Sequence, residues 1–457
     1  MGVHDMVWPT VPRFVRGSLA WVCIGLLTGC SPTVPDVSSD INLAAVYDTE
    51  NQDAASLAGI PEIGFKDPVL IQLVTAALDG NPGLAAAQAR LRAAAAEARA
   101  AGAEVSGNGD VGLRSDNTGT GSLDAGLAAR LDPSRPARQA AAVARAEAAQ
   151  FDADDARRLL VEQLVTTYID LRFFQQLLEY RRADVASRRR TLNDLEILLG
   201  AGAATEVDVV SARALLVEAR GQLPQIEAQA LRQRNQLAAL VGRPSGEFGV
   251  NLTFARKQPL PQGKVDQGLP ADLLRARPDV RRAERLYVAA VADISTARAA
   301  LYPSLTLSGR IQVPLNNAPD LTTLTSGLSI PVFGRFALKA GVDAAEARAA
   351  AAFQQWRTSV LTSVQELESA LTSRAAAERT AAAAEEVVAL QRRALTLSRR
   401  LLVESGDVTA LDVLDREQAV TQARTSLAES RRDVALAHIA LLSALGLDRG
   451  MESKVGN

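Results

Sequence analysis

Ser304-Leu305-Thr306-Leu307-Ser308-Gly309-Arg310-Ile311-Gln312-Val313 is the stretch on which the fold turns. Its odd positions are Leu305, Leu307, Gly309, Ile311 and Val313; its even positions are Ser304, Thr306, Ser308, Arg310 and Gln312. Successive side chains of a strand point to opposite faces, so this ribbon has one apolar and one polar face. Leu324, Leu328 and Ile330 alternate likewise with Thr323, Thr325, Gly327 and Ser329, with Ser326 breaking the apolar row. Two earlier stretches follow the same rule. Val105, Gly107, Gly109, Val111 and Leu113 alternate with Ser106, Asn108, Asp110 and Gly112, and Leu123, Ala125, Leu127, Ala129 and Leu131 with Asp124, Gly126, Ala128 and Arg130. About nine or ten residues is the length of a transmembrane β-strand. Turn-rich tips at Asn117–Gly121 and Asn316–Pro319 join each pair into a hairpin.

Half-buried soluble hairpins share this period, and the charges weigh against them. Asp110, Asp124, Arg130 and Arg310 would be costly against a dry core, whereas a wet barrel lumen accepts them. Four strands cannot close a barrel, for which about eight is the smallest workable number. An open edge cannot face lipid. The chain is therefore expected to oligomerise, three copies giving twelve strands. Tyr302 and Phe333 flank the second pair, where interfacial aromatics would sit.

Around the strands the chain is a tandem duplication. Shifted by 204 positions, Gly202–Gly242 lies on Gly406–Gly446 without a gap: Gly202 on Gly406, Thr205 on Thr409, Asp208-Val209 on Asp412-Val413, Ala219 on Ala423. Asn81-Pro82 and Arg277-Pro278-Asp279 open corresponding helices. Each copy reads as a helix (Pro82–Ala103, Pro278–Ala300), a strand pair, a very long helix (Arg138–Leu199, Arg335–Glu404), a Gly turn and a final helix. Helices over 60 residues reach roughly 90 Å at 1.5 Å per residue, a length for antiparallel coiled coils. The expected fold is mainly α with a small β part: a long antiparallel α-helical coiled-coil barrel plus four transmembrane β-strands per chain.

Composition agrees. The 457 residues are 22% charged with a net charge of -2 and 4% aromatic, so no basic footprint for nucleic acid exists. Alanine-rich runs such as Leu91–Ala101 suit closely packed helices. His4, His438, Cys23 and Cys30 are the only residues of their types, too few for a His-dependent metal site or a Cys–His nucleophile. No cofactor, metal or catalytic residue is expected. Gly107-x-Gly109-x-x-Gly112 matches a dinucleotide fingerprint but lies inside an expected strand. His438 reads as a packed or surface residue, and the sequon Asn251-Leu252-Thr253 is given no role.

The N-terminus reads as an address. Arg13 and Arg16 precede the apolar run Leu19–Leu27, ending in Leu27-Thr28-Gly29-Cys30, which resembles the bacterial lipoprotein box. Cleavage would leave Cys30 first and lipidated, a firm bilayer anchor. Ser31 in place of an inner-membrane retention Asp favours the outer membrane. The expected organisation is signal peptide 1–29, tether 30–60, first repeat 61–242, connecting equatorial segment 243–268, second repeat 269–446 and tail 447–457. No membrane-spanning helix is expected in the mature chain.

Leu269–Gly309, Pro331-Val332-Phe333-Gly334-Arg335 and Val403–Arg424 resemble, in order and spacing, the TolC-like outer-membrane efflux proteins. The resemblance covers about residues 60–448, and the lipoprotein signal makes the chain most similar to the NodT/OprM-like branch. It implies a homotrimer with a twelve-stranded outer-membrane barrel and a periplasmic helical tunnel. Its implied role is the exit duct of an inner-membrane pump, usually of the resistance–nodulation–division class, joined through a periplasmic adaptor protein. The first copy departs from the pattern, with Leu131-Asp132-Pro133-Ser134-Arg135 at its corner and a strand pair expected to be short.

The resemblance also implies that Asp208, Asp412 and Asp415 stand at the periplasmic constriction, where threefold symmetry would make carboxylate rings that select cations. Thr205-x-x-Asp208 and Thr409-x-x-Asp412 fit helix capping equally well, while Asp415 lies beyond the cap. Val403 and Val408 stand where some relatives hold a locking Tyr and Arg. The tips Ala201–Ala204 and Ser405–Val408, with Gly202, Thr205, Gly406 and Thr409, would dock the adaptor through Leu198, Leu199, Leu402 and Val403; turn chemistry explains the glycines equally well. The alternative function is a lipid-anchored periplasmic coiled-coil scaffold or adaptor without a pore.

Overall fold

The computed structural model describes residues 64–102, 106–115, 121–202, 204–244, 252, 257–261, 277–315, 319–331, 333–404 and 408–446. The elements in chain order are α1 (Pro68–Gly80), α2 (Pro82–Ala101), β1 (Ser106–Ser115), β2 (Gly121–Leu131), α3 (Arg135–Gly200) and α4 (Glu206–Val241). The second copy supplies α5 (Pro278–Ala299), β3 (Ser304–Pro314), β4 (Leu321–Ser329), α6 (Arg335–Glu404) and α7 (Ala410–Ala444). They fall into two compact units. One comprises Ala94–Ala146 and Leu286–Phe353; the other holds the described parts of Asp40–Ala93, Glu147–Arg285 and Gln354–Asn457. Among the described residues no single helix is long and apolar enough to cross a membrane.

The first unit carries one antiparallel sheet in the order β1-β2-β3-β4. Register puts Leu123 between Leu113 and Val313, and Ala125 between Val111 and Ile311. Cross-strand neighbours on a face are the unit of sheet stabilisation, and here they form an apolar face turned outward, with Val111 76% exposed. The other face sets Asp124 between Gly112 and Gln312, and Gly126 between Asp110 and Arg310. The expectation of a short first strand pair is corrected. β1 and β2 have 10 and 11 residues, against 11 and 9 for β3 and β4. The ladder runs past the apolar alternation through Arg114-Ser115 and Gly121-Ser122, because strand pairing is a backbone property. The dinucleotide-like glycines lie within β1. Arg145–Asp293 and Arg298–Glu346 ion pairs tie α3 to α5 and α5 to α6 beside the sheet.

The second unit is helical. Its core gathers Leu70, Leu73 and Val74 of α1, Leu164, Val165 and Leu171 of α3, Leu237 of α4, Leu367 of α6 and Ile439 of α7. Each fully buried leucine there contributes on the order of 1.5–3 kcal/mol. Helix α1 goes beyond the sequence reading. Asp67 caps it, its Oδ1 accepting from the Val69 N–H at 2.9 Å, and Pro68 opens it. The Asp67 carboxylate also accepts from the Tyr168 hydroxyl. Burial, with that bond, pushes the Tyr168 phenol above its usual range. At the next corner, Asn81 Nδ2 donates to the Leu240 carbonyl at 2.8 Å while Oδ1 accepts from the Leu84 N–H at 3.0 Å. Gly242 closes α4 with φ 78, so close to Gly80 that a Cβ on Gly242 would lie 2.2 Å from the Gly80 oxygen. His438 is packed, edge-on to Phe65 at 5.4 Å.

Candidate functional site: the hairpin ends and the polar strand face

The helices that follow the two hairpin turns start with the same local chemistry. After α3, Gly202 takes a left-handed φ of 74, and its N–H reaches the Leu199 carbonyl at 3.0 Å. Thr205 then caps α4. Asp208 Oδ2 accepts from the Thr205 N–H at 2.9 Å and from its hydroxyl at 2.6 Å, and the Asp208 N–H returns a bond to Thr205 Oγ1 at 3.3 Å. Thr409 and Asp412 repeat this at α7, with 2.8, 2.6 and 3.2 Å. These are capping boxes, each satisfying helix N–H groups that would otherwise be orphaned. The Thr205 hydroxyl and N–H hold Asp208 below the usual carboxylate range, and those of Thr409, helped by Arg416, do the same for Asp412. Both carboxylates are therefore charged throughout the physiological range.

Asp415 is exposed, outside the cap. Leu414 packs against Leu192, Leu195, Val209, Ala212 and Leu216, so the start of α7 lies against the first hairpin's end. The sequence-predicted aspartates are thus brought to one end of the helical unit. Leu198 and Leu199 are exposed there, as are Ile197 and Val207. Gly406 and Cys30 lie outside the described residues, with the rest of Ser405–Asp407.

Behind this end lies a polar cluster that sequence reasoning missed. Glu417 is buried and accepts from Ser187 at 3.1 Å, Thr191 at 3.3 Å and Arg399. The Asp184 carboxylate, also buried, pairs with Arg188 at 3.0 Å and accepts from Thr421 at 3.0 Å. Helices α3, α6 and α7 are joined here by charge-assisted bonds. In sequence Glu417 looks like any residue of a solvated helix face. A second missed anchor is Arg277, 2% exposed, which grips Asp279 through two bonds of 3.0 and 2.8 Å and Glu366 through one of 2.7 Å.

On the sheet, Asp110, Asp124 and Arg310 share the polar face, and register sets Arg130 opposite Thr306. Asp124 is 8% exposed; the Ser122 hydroxyl donates to its Oδ2 at 3.4 Å and accepts in turn from Gln312 Nε2 at 3.0 Å. A Cβ on Gly126 would lie 2.5 Å from Asp110 Oδ1, so only glycine lets that carboxylate lie across β2. Tyr302 and Phe333, the latter 94% exposed, both lie beyond the paired Ser304 and Ser329 at one end of the β3–β4 ladder, with exposed Phe336. Among the described residues no group of three or more His, Cys, Asp or Glu is placed to hold a metal ion.

Long paired helices in one chain with a sheet that is apolar on one face and charge-bearing on the other are the features of a channel protein of the cell envelope. Residues 73–243 and 269–447 match the family described as outer membrane efflux protein, and the chain belongs to that family. It is 33% identical to nodulation protein T of Rhizobium leguminosarum bv. viciae over 83% of this chain and 82% of that protein. It is 28% identical to the pyoverdine export outer membrane protein OpmQ of Pseudomonas putida over 96% and 98%. The solved outer-membrane channel OprN superposes with a TM-score of 0.81 at 26% identity, covering 91% of this chain and 99% of that one. The open-state MtrE channel of Neisseria gonorrhoeae, at 22% identity, shares the fold with a TM-score of 0.79 over 93% and 100%. The chain is an outer-membrane efflux duct with a periplasmic part.

Proposed function

We propose that three copies of this chain form one continuous exit duct, their sheets closing a barrel of twelve strands, since three times four is twelve. The observation that carries this is the sheet itself: one face apolar, the other bearing Asp110, Asp124 and Arg310, with β1 and β4 as its two end strands. In an apolar medium those edges need partners. Two copies would give eight strands, whose interior side chains fill, whereas twelve leave a passage. Exposed Tyr302 and Phe333 suit the interface between lipid and water. Cys30 would carry the lipid anchor, and the repeats 61–242 and 269–446 would each supply one strand pair and one hairpin. Inside the periplasm the hairpins line a tunnel that meets an adaptor at residues 201–204 and 405–408, behind an inner-membrane pump of the resistance–nodulation–division class. The duct does no chemistry on its cargo.

Threefold symmetry would make Asp208, Asp412 and Asp415 into rings of carboxylates at the hairpin ends, favouring cations and opposing anions. Asp208 and Asp412 serve as caps as well, so Asp415, outside the cap, is the residue committed to the ring alone. Single-channel recording of the purified protein in a planar bilayer, beside an Asp412→Ala/Asp415→Ala variant, tests the reading. Cation-selective steps that grow and lose selectivity in the variant support duct and gate together. Steps indifferent to the substitutions would reduce the aspartates to caps, and trimers that never conduct would oppose the duct.

A further inference from the structure

Each copy turns from its strand pair into a long helix at a corner, and the two corners, aligned on Arg135 and Arg335, are built differently. Asp132-Pro133-Ser134-Arg135-Pro136 leads into α3, and Val332-Phe333-Gly334-Arg335-Phe336 leads into α6. The first corner is satisfied within the chain. Asp132 Oδ1 accepts from the Ser134 N–H at 2.9 Å and from its hydroxyl at 2.7 Å, while Oδ2 pairs with Arg138 at 2.6 Å. Arg135 donates to the Gly102 carbonyl at 3.2 Å.

The second corner keeps cations and has lost the anion. Val332 stands in the place of Asp132 and Gly334 in that of Ser134. Lys339 lies one helical turn from Arg335 on the same face, and both are exposed. Among the described residues no carboxylate pairs with either, although Asp343 is exposed a further turn along. The first turn of α6 holds no acid, so Arg335 stands uncompensated at the positive end of a 70-residue helix. Where the first corner has Pro133 and Pro136, the second has Phe333 and Phe336, 94% and 87% exposed. Phe333 follows Ser329 and Tyr302 precedes Ser304, so the aromatics gather where the β3–β4 ladder ends. Exposed rings beside unpaired cations match the boundary where acyl chains meet anionic headgroups. A free anion would leave the rings without a purpose.

We propose that the second corner binds the headgroup of an anionic phospholipid in the periplasm-facing leaflet of the outer membrane. The lipid phosphate takes, between Arg335 and Lys339, the part that the Asp132 carboxylate plays at the first corner, and Phe333 and Phe336 lie at the acyl boundary. The first corner carries its own acid and needs no lipid. This rests on the reading that the sheet crosses the bilayer, and adds which lipid the chain selects and where.

The test is lipid binding to the full-length protein in detergent, read by native mass spectrometry with phosphatidylglycerol, phosphatidylcholine and inorganic phosphate as probes. The parent is expected to retain phosphatidylglycerol in preference to phosphatidylcholine. Arg335→Gln/Lys339→Gln should weaken that binding roughly thirtyfold, about fivefold for each charge. Val332→Asp keeps both cations, gives the second corner the acid of the first, and should weaken it as well. Equal binding by the parent and both variants would overturn the site. Displacement of the lipid by inorganic phosphate would overturn the lipid assignment, and trimers of the parent that retain no phosphatidylglycerol would give the corner to a neighbouring copy. Quenching of fluorescence by brominated phospholipid in vesicles separates this proposal from the membrane reading. Leu324→Trp, on the apolar face of the sheet, and Phe333→Trp are both expected to be quenched beyond the parent. Quenching of Leu324→Trp alone would overturn the corner and leave the sheet in the bilayer; quenching of neither would overturn both.

Discussion

Replacing Arg277 by Met removes a buried cation and leaves its partners behind. Arg277 spans the start of α5, Glu366 on α6 and the Ala444 carbonyl at the end of α7. Breaking a buried pair costs about 3–5 kcal/mol, and because Glu366 is half exposed the lower end applies, about 3 kcal/mol. At roughly 2–4 °C per kcal/mol for a domain of this scale, the helical circular-dichroism melt should fall by roughly 6–12 °C. The pH dependence should flatten on the acid side. In the native protein burial raises the Asp279 pKa, but the Arg277 hydrogen bonds and charge outweigh it, and Asp279 is held below its ordinary value. A lowered folded pKa stabilises above the unfolded value, about 3.9, and that contribution is lost as pH falls through the folded value. Without Arg277, burial is opposed only by the Arg158 charge and the Val280 N–H, so the folded Asp279 pKa moves upward and the loss of stability on acidification should shrink. Arg277→Lys should fall between the two, keeping the charge without the fork. A variant melting within 1–2 °C (about 0.5 kcal/mol) of the parent, with the same pH profile, would refute the reasoning.

Other outcomes follow from the same contacts. Gly242→Ala should destabilise by roughly 2–4 kcal/mol, since a left-handed φ and the Gly80 oxygen both oppose a Cβ; chemical denaturation of the helical signal checks it. Thr409→Ala should cost the α7 cap about 1 kcal/mol, read as roughly fivefold faster amide exchange in the first turn of α7 and little change elsewhere. Because Asp208 and Asp412 are held below the ordinary carboxylate range, both caps should persist as pH falls and weaken only as it passes through those lowered values; exchange at 206–209 and 410–413 measured down the pH scale reads this directly.

Much of the fold was legible because two periodicities and one duplication are local properties of the sequence. Alternation in Ser304–Val313 announced β3, the Gly-Arg corner placed the start of α6 at Arg335, and both Thr-x-x-Asp boxes appear where the spacing put them. The ends of β1 and β2 were not legible, since pairing continues through residues with no apolar signal. Neither were the Arg277 and Glu417 clusters. Glu417 meets Ser187 across 230 residues of chain, and no periodicity marks which charged residue on an outwardly polar helix will find a buried partner. Helix α1 carried a readable start at Asp67-Pro68, but its short apolar run lies before Asn81-Pro82, which opens the first helix with a counterpart in the other copy.

The central claim is that four strands per chain become a twelve-stranded barrel. Native mass spectrometry of the protein released intact from outer-membrane vesicles tests it most directly. The expected species contains three copies of the lipidated chain. A complex of two, giving eight strands and a filled interior, or a lone chain with both sheet edges open, would contradict the account.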